Sequence, residues 1–408
     1  MSILREIPPT AGFTVGIKEL FAAFSSGRGE ASLEKDFSAY LNSNYTKVTA
    51  SGTAALYIIL NALKNVRPQK KVIIPAYTCP LVALAVKRAG FIPTACDISA
   101  KDLDFDYEQL EKMCAENSDI AAIVATHIGG IPADMDRIKA IASGKGIVII
   151  EDCAQSLSAL YKGRPVGSLG DISFFSLCRG KGLTIYEGGL IAANNKAYEK
   201  YLDSAEKELV KADIMEEGLK ILELFGYSIF YRPALFWLVF KLPQIFWMLK
   251  KNELKAFTEY YTEDFPVYKV SGVRKNIGHA AFHRLDEEIE SQRSKARLYL
   301  DGLSSVKGIR VIGGAEYTNS SYPFVIAVFE DPKKRREIFP RLNSLGLGVS
   351  LLYLHEITGY GYLKSVVPAK DCPNAKYIAE NGITLSTSAF LREEDILHVI
   401  DSIKKSLA

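Results

Sequence analysis

The sequence predicts an α/β fold: a large three-layer αβα domain built on a mostly parallel sheet, followed by a smaller C-terminal α+β domain. Three observations predict it. Between Lys47 and Asn194, short apolar runs alternate with helix-patterned segments, the rhythm of parallel strands joined by covering helices. The runs are continuously apolar, as strands buried on both faces are. The 408 residues suffice for two domains with a large core, and the rhythm stops after Asn195.

Taken in order, the expected strands are Val72–Pro75, Ile92–Cys96, Ile120–Thr126, Ile147–Ile150, Ile172–Leu177 and Leu190–Ala193. The segments Ala54–Leu63, Leu81–Arg88, Tyr107–Cys114 and Met135–Ile141 carry helical periodicity between them. These place a large domain at residues 1–196. Residues 197–272 form a helical, aromatic-rich insert: Ala197–Lys220 is charged and helical in pattern, and Ile221–Leu249 concentrates aromatics and holds both tryptophans, Trp237 and Trp247. Residues 273–408 read as the small domain. There a helix-rich start gives way to strands Gly308–Ile312 and Tyr322–Val328 and helices Arg335–Leu345 and Glu393–Ser406.

Composition excludes several classes. A net charge of +3 over this length is too weak for nucleic-acid binding, and 24% charged with 48% hydrophobic residues is ordinary for a globular enzyme. Six scattered cysteines make no C-x-x-C pair, so neither a metal site nor a disulfide framework is expected. The first twelve residues hold no apolar signal-peptide core. The expectation is a reduced, cytoplasmic enzyme.

The chemistry concentrates at predicted strand ends. Asp152 follows one buried strand, and Lys181 follows the next, just before Glu187-Gly-Gly189. Ligands of open α/β sheets bind outside the carboxyl ends of strands. An acid and an amine so placed fit pyridoxal 5'-phosphate, whose pyridine nitrogen pairs with a carboxylate and whose aldehyde is held by a lysine as a Schiff base. Ser51, Gly52 and Thr53 follow a strand and open a helix, a place where backbone N–H groups and the helix dipole attract an anion. Ser176 could offer its hydroxyl to the same phosphate, or cap its strand. Gln155 could sit by the ring, or cap a helix. Tyr77 could stack on a ring, donate a hydrogen bond or serve as a turn aromatic.

These residues belong to a longer series. Ser51-Gly-Thr-Ala-Ala-Leu56, Pro75-x-x-Thr78, Gly90-x-x-Pro93 with Asp97-Ile98, and His127-x-x-Gly-x-Pro-Ala-Asp-Met135 come first. Glu151-Asp-Cys-Ala-Gln155, Gly167-Ser-x-Gly-Asp171, Phe175-Ser176 with Lys181 five residues on, and Glu187-Gly-Gly189 follow. In this order they resemble the DegT/DnrJ/EryC1/StrS sugar aminotransferase family, closely over residues 10–195 and loosely over 274–400. The resemblance implies the aspartate-aminotransferase-like fold type I and a homodimer with its active site at the interface. It implies Lys181 as the Schiff-base lysine, Asp152 as the pyridinium partner, Gly52, Thr53 and Ser176 as phosphate contacts, and Gln155 at the ring. Lysine at 181, where a dehydrating branch of the family carries histidine, implies a transaminase. Cys79 stands where the family has a ring-stacking aromatic, Gly272 stands where it has an asparagine ahead of Arg274, and Ile221–Leu249 has no family counterpart. His355 resembles a small-domain histidine that reaches substrate, and Glu187 is a second substrate candidate.

The expected reaction moves an amino group from an amino acid, L-glutamate, to a keto group of a nucleotide-linked sugar for cell-surface glycan biosynthesis. Two alternatives are a lipid-linked or membrane-held keto substrate and a non-catalytic regulator on the same fold. Residues 221–249 are expected either as a packed helical flap or as a peripheral membrane contact at the inner face, since prolines and charges interrupt any spanning helix.

Overall fold

The structure, a computed structural model, describes residues 5–22, 32–257 and 259–408. The first four residues of the N-terminal reading lie outside this set. The large sheet has seven strands: β1 (Tyr45–Thr49), β2 (Lys71–Pro75), β3 (Ile92–Cys96), β4 (Ile120–Thr126), β5 (Val148–Asp152), β6 (Ile172–Ser176) and β7 (Gly189–Ala193). Their spatial order is β1-β7-β6-β5-β4-β2-β3. Strands β2 to β6 run parallel, and β7 lies antiparallel between β6 and β1. The central strands are buried along their length, which is why they read as unbroken apolar runs.

The covering helices begin where their caps dictate. After α1 (Leu33–Leu41), α2 (Gly52–Lys64) is capped by Ser51. Pro80 opens α3 (Pro80–Arg88) at the first-turn position that lacks no needed N–H. Asp106 and Asp134 cap α4 (Tyr107–Glu116) and α5 (Met135–Ala142).

The charged stretch after β7, helical in pattern, is two helices, α6 (Glu199–Leu209) and α7 (Ile214–Phe230). The break falls at Asp213, whose side chain accepts the Glu216 N–H and so starts a new helix. A short turn (Pro233–Phe236) and a wide-wound stretch (Trp237–Lys241) lead into α8 (Leu242–Leu249).

Helices α9 (Gly272–Phe282) and α10 (Leu285–Leu303) precede a second, antiparallel sheet of β8 (Ile309–Val311), β9 (Phe324–Phe329) and β10 (Gly382–Ser386). Helices α11 (Pro332–Asn343), α12 (Pro373–Asn381) and α13 (Glu393–Leu407) complete this unit. Its core takes in Ile7 from the start of the chain, and Phe324, Ile326 and Val328 join the core of the large sheet.

Candidate functional site

Strand register sets the site. In the parallel ladders, Thr126 lies opposite Asp152, and Asp152 opposite Phe174. One step further, Ser176 lies opposite Gly189, and Gly189 opposite Thr49. The carboxyl ends of β1, β4, β5 and β6 therefore share one edge of the sheet.

Two glycines bring backbone together there. A Cβ on Gly189 would meet the Ser51 carbonyl group at 2.4 Å, so only glycine lets β7 touch the loop before α2. A Cβ on Gly52 would lie 3.2 Å from the Ser176 Cβ, so the start of α2 abuts the end of β6. Ser51 Oγ accepts the Ala54 N–H at 3.0 Å. The first-turn N–H groups of α2 have no partner within the helix, and with the Ser176 hydroxyl they form a cluster of donors at a positive dipole end. That is phosphate-cradle chemistry.

Asp152 is only 4% exposed. Its Oδ1 accepts the Ala154 N–H at 3.0 Å, while Oδ2 has only the Thr126 hydroxyl at 3.5 Å. Burial raises its carboxyl above the ordinary value, against the Ala154 bond and the charges of Lys181 and His127. A buried carboxylate with one underused oxygen suits a fixed N–H⁺ donor.

Its neighbour Glu151 is spoken for. It is fully buried and accepts N–H bonds from Gly167 at 2.8 Å and from Leu169 and Gly170 at 2.6 Å. The Ala133 N–H donates to His127 Nδ1 at 3.0 Å, which assigns the ring proton to Nε2, 3.2 Å from Glu151. Burial pushes the Glu151 carboxyl up, but the His127 and backbone bonds together outweigh it and leave it below the usual range. The motif residues His127 and Gly167–Asp171 thus anchor the strand end that carries Asp152. Among the described residues, the group able to offer three metal ligands is His127, Glu151 and Cys153. The histidine nitrogens and Glu151 oxygens of that group are already engaged in these hydrogen bonds.

Lys181 sits in the loop after β6, its carbonyl accepting the Phe13 N–H at 2.8 Å. With Ser176 and Gln155 it lines one narrow cavity of about 30 Å³, with Thr10 and Gly180 at the rim. Cys79, just ahead of α3, lies within reach of the same charge. Burial pushes its thiol up to about 12, against a Leu81 backbone bond and the Lys181 ammonium. Gln155 Oε1 accepts the Gly129 N–H at 2.8 Å, and its Nε2 donates to the Tyr353 hydroxyl at 2.9 Å. Tyr77, 2% exposed, packs edge-on against Tyr353 with ring centres 5.3 Å apart.

The edge thus gathers Ser51, Gly52, Thr53, Tyr77, Cys79, Asp152, Gln155, Ser176 and Lys181. His355 lies apart: it is exposed, in a groove with Met248 and Asn252, its ring edge-on to Tyr360. Glu187 faces the insert, paired with Lys220 at 3.0 Å, while its carbonyl accepts from Arg274. Arg274 itself is fully buried and bonded to Glu217 through Nε at 2.8 Å.

Sequence reasoning missed two members. Tyr353, two residues before His355, turns inward between Tyr77 and Gln155. Glu259, 4% exposed, accepts the Leu354 N–H at 2.9 Å and the Tyr360 hydroxyl, and burial pushes its carboxyl up to about 7. Its charge is felt at Tyr77 and Cys79. A buried acid in an irregular loop has no local pattern that could have announced it.

The sequence profile described as the DegT/DnrJ/EryC1/StrS aminotransferase family matches residues 19–217 and 251–404. The chain is 26% identical over 384 residues to an uncharacterised protein of Methanocaldococcus jannaschii, covering 91% of this chain and 88% of that one. It is 24% identical over 393 residues to the GDP-perosamine synthase of Caulobacter vibrioides, covering 94% and 91%. Its fold matches that of the aminotransferase TlmJ from Streptoalloteichus hindustanus with a TM-score of 0.76 at 22% identity, covering 98% and 99%.

Proposed function

The chain belongs to the DegT/DnrJ/EryC1/StrS aminotransferase family, whose members are pyridoxal-phosphate-dependent, and from that premise we propose that it aminates a nucleotide-linked keto sugar. L-Glutamate is the donor in this reading, cell-surface glycan biosynthesis the purpose, and a homodimer the working form. The GDP-perosamine synthase relative supports a nucleotide sugar as acceptor. The observation that carries the reading is buried Asp152 at the end of β5 with Lys181 in the loop after the neighbouring β6, near enough for its charge to act on the carboxyl.

When bound, the cofactor would supply the electron sink that transamination needs. The chain's own residues do the rest. Asp152 keeps a proton on the pyridine nitrogen, and its underused Oδ2 is the oxygen suited to that bond. The N–H groups of Gly52 and Thr53 and the Ser176 hydroxyl hold the phosphate, with Ser51 shaping the turn. Gln155, steadied by Gly129 and Tyr353, would lie beside the cofactor's ring, with Tyr77 and Cys79 bounding the same space. Lys181 Nζ holds the cofactor and then carries the proton between the two carbons. The large domain of residues 1–196 supplies these groups, and the insert and the unit from 273 shape the acceptor side.

Borohydride reduction of the yellow holoenzyme should fix the cofactor to a single peptide containing Lys181. Label on any other lysine overturns the assignment. A panel of UDP- and GDP-linked keto sugars with L-glutamate, scored by mass spectrometry for the amino sugar, tests the substrate class.

A further inference from the structure

The insert buries Leu224, Tyr227, Tyr231 and Phe236, but its last stretch turns most of its apolar side chains outward. Along the helical path from Leu238 to Leu249, the residues Leu238, Leu242, Ile245, Phe246 and Leu249 recur at three- and four-residue spacing, the mark of one helix face. Each of them is between 41 and 79% exposed. The inward face of the same stretch carries polar groups. Lys241, 9% exposed, donates to Asn343 Oδ1 at 2.6 Å and lies 3.7 Å from Glu6, and Gln244 is 4% exposed. A helix in water buries its apolar stripe and hydrates the polar one. Here the apolar stripe faces away from the protein.

We propose that this outward stripe seats the protein on an anionic membrane surface. Three observations choose that occupant. First, Leu224 to Asn252 contains no acidic residue and four basic ones, of which Arg232, Lys250 and Lys251 are exposed. Lys250 Nζ lies 4.3 Å from the Phe246 ring centre, and Lys255 Nζ lies 4.6 Å from that of Trp247, so cations rim the aromatic side chains. That pairing of apolar stripe and basic border matches an acyl layer under anionic headgroups. Second, a two-fold contact would set the patch against itself and bring the exposed Arg232, Lys250 and Lys251 of two copies together, with Glu253 the adjoining acid. Third, the family profile matches up to residue 217 and again from 251, so the stripe lies in a segment outside the family's common sequence pattern. No helix among the described residues is long and apolar enough to cross a membrane, so the stripe lies in the interface plane. Seating is independent of which sugar is aminated.

Trp237 and Trp247 are the chain's only tryptophans, and both lie in the insert, so tryptophan emission, excited apart from the tyrosines, reports on it. The full-length holoenzyme is titrated with vesicles of phosphatidylcholine, with and without phosphatidylglycerol, carrying brominated acyl chains. Quenching and co-sedimentation should appear with the anionic vesicles and weaken in high salt. Lys250→Glu with Lys251→Glu, and separately Leu242→Glu with Phe246→Glu, should each lower binding at least about tenfold while leaving the melting temperature and dimer mass unchanged. The single change Leu249→Glu, at the most exposed position of the stripe, should weaken binding in the same direction. Wild-type protein that stays in the supernatant, unquenched, with both vesicle types overturns the proposal. So does a Leu242/Phe246 pair that halves the mass in light scattering, since the stripe would then be a contact between copies.

Discussion

At the carboxyl edge of the large sheet, Glu151 and Gln155 are buried or half-buried and bonded to several partners; along α8, apolar side chains point outward. Glu151 collects four hydrogen bonds at no exposure, whereas Leu249 stands 79% exposed at the end of a helix whose inner face holds Lys241 and Gln244. The first arrangement is complete within the chain. The second becomes complete only when something apolar covers it. A catalytic strand end must be rigid before substrate arrives, which explains its redundancy of bonds. A docking face must stay available, which explains its exposure.

Substitutions can break the first half of this contrast and spare the second. Lys181→Ala should abolish transamination, by at least about a thousandfold, because no other group is placed to move the proton. Amino-sugar formation by mass spectrometry reads the loss. Glu151→Ala should cost about 3–5 kcal/mol in urea denaturation, since three N–H groups and His127 lose a buried charged partner. Unchanged stability there would mean that the bonds to Glu151 are redundant. Asp152→Asn should lower turnover about a hundredfold or more with little change in stability, because one oxygen is already weakly used.

Glu259 sharpens the contrast through pH. Its carboxyl is raised by burial from 4.5 to about 7 in the folded chain. The stability it contributes is therefore full below about pH 4.5 and lost as pH rises through about 7, by at most about 3 kcal/mol. Glu259→Gln should flatten that decline in urea midpoints across the window; an equally steep decline in the variant would assign it to another group. The smallest effect belongs to the insert. Leu249→Ser should change stability by no more than about 0.5 kcal/mol, because the leucine is already in water. A loss of about 2 kcal/mol would show that the outer face is packed in solution.

What could be read from the sequence follows the range of the interactions involved. Strand Ile120–Thr126 has the bounds its apolar run predicts, because it is buried along its length up to Thr126; the edge strand Ile92–Cys96 keeps its predicted bounds too, although Ile92 is exposed and Thr94 only half-buried. Asp152 and Lys181 were legible because each lies a fixed step beyond such a run. By contrast, β10, Gly-Ile-Thr-Leu-Ser, carries two hydroxyl side chains and pairs with a strand more than fifty residues earlier, so nothing local marks it. Tyr353 and Glu259 were invisible for the same reason: their meaning comes from Gln155, Tyr77 and Tyr360, none of them sequence neighbours of both. The exposure of the insert could not be read either. An apolar stripe looks the same in sequence whether it faces a core or turns away from it.

The position of β1 also governs when the site can exist during synthesis. It lies at the edge of the sheet and pairs only with β7, Tyr45 opposite Ala193, so a span of nearly 150 residues must emerge from the ribosome before its ladder closes. Until then the Ser51–Thr53 turn has no Gly189 to rest against, and β1 offers an unpaired edge to neighbouring nascent chains. Closure of the Ser51–Gly189 contact is therefore a late event in folding, and chaperone dependence should be greatest while residues 50–190 are being made.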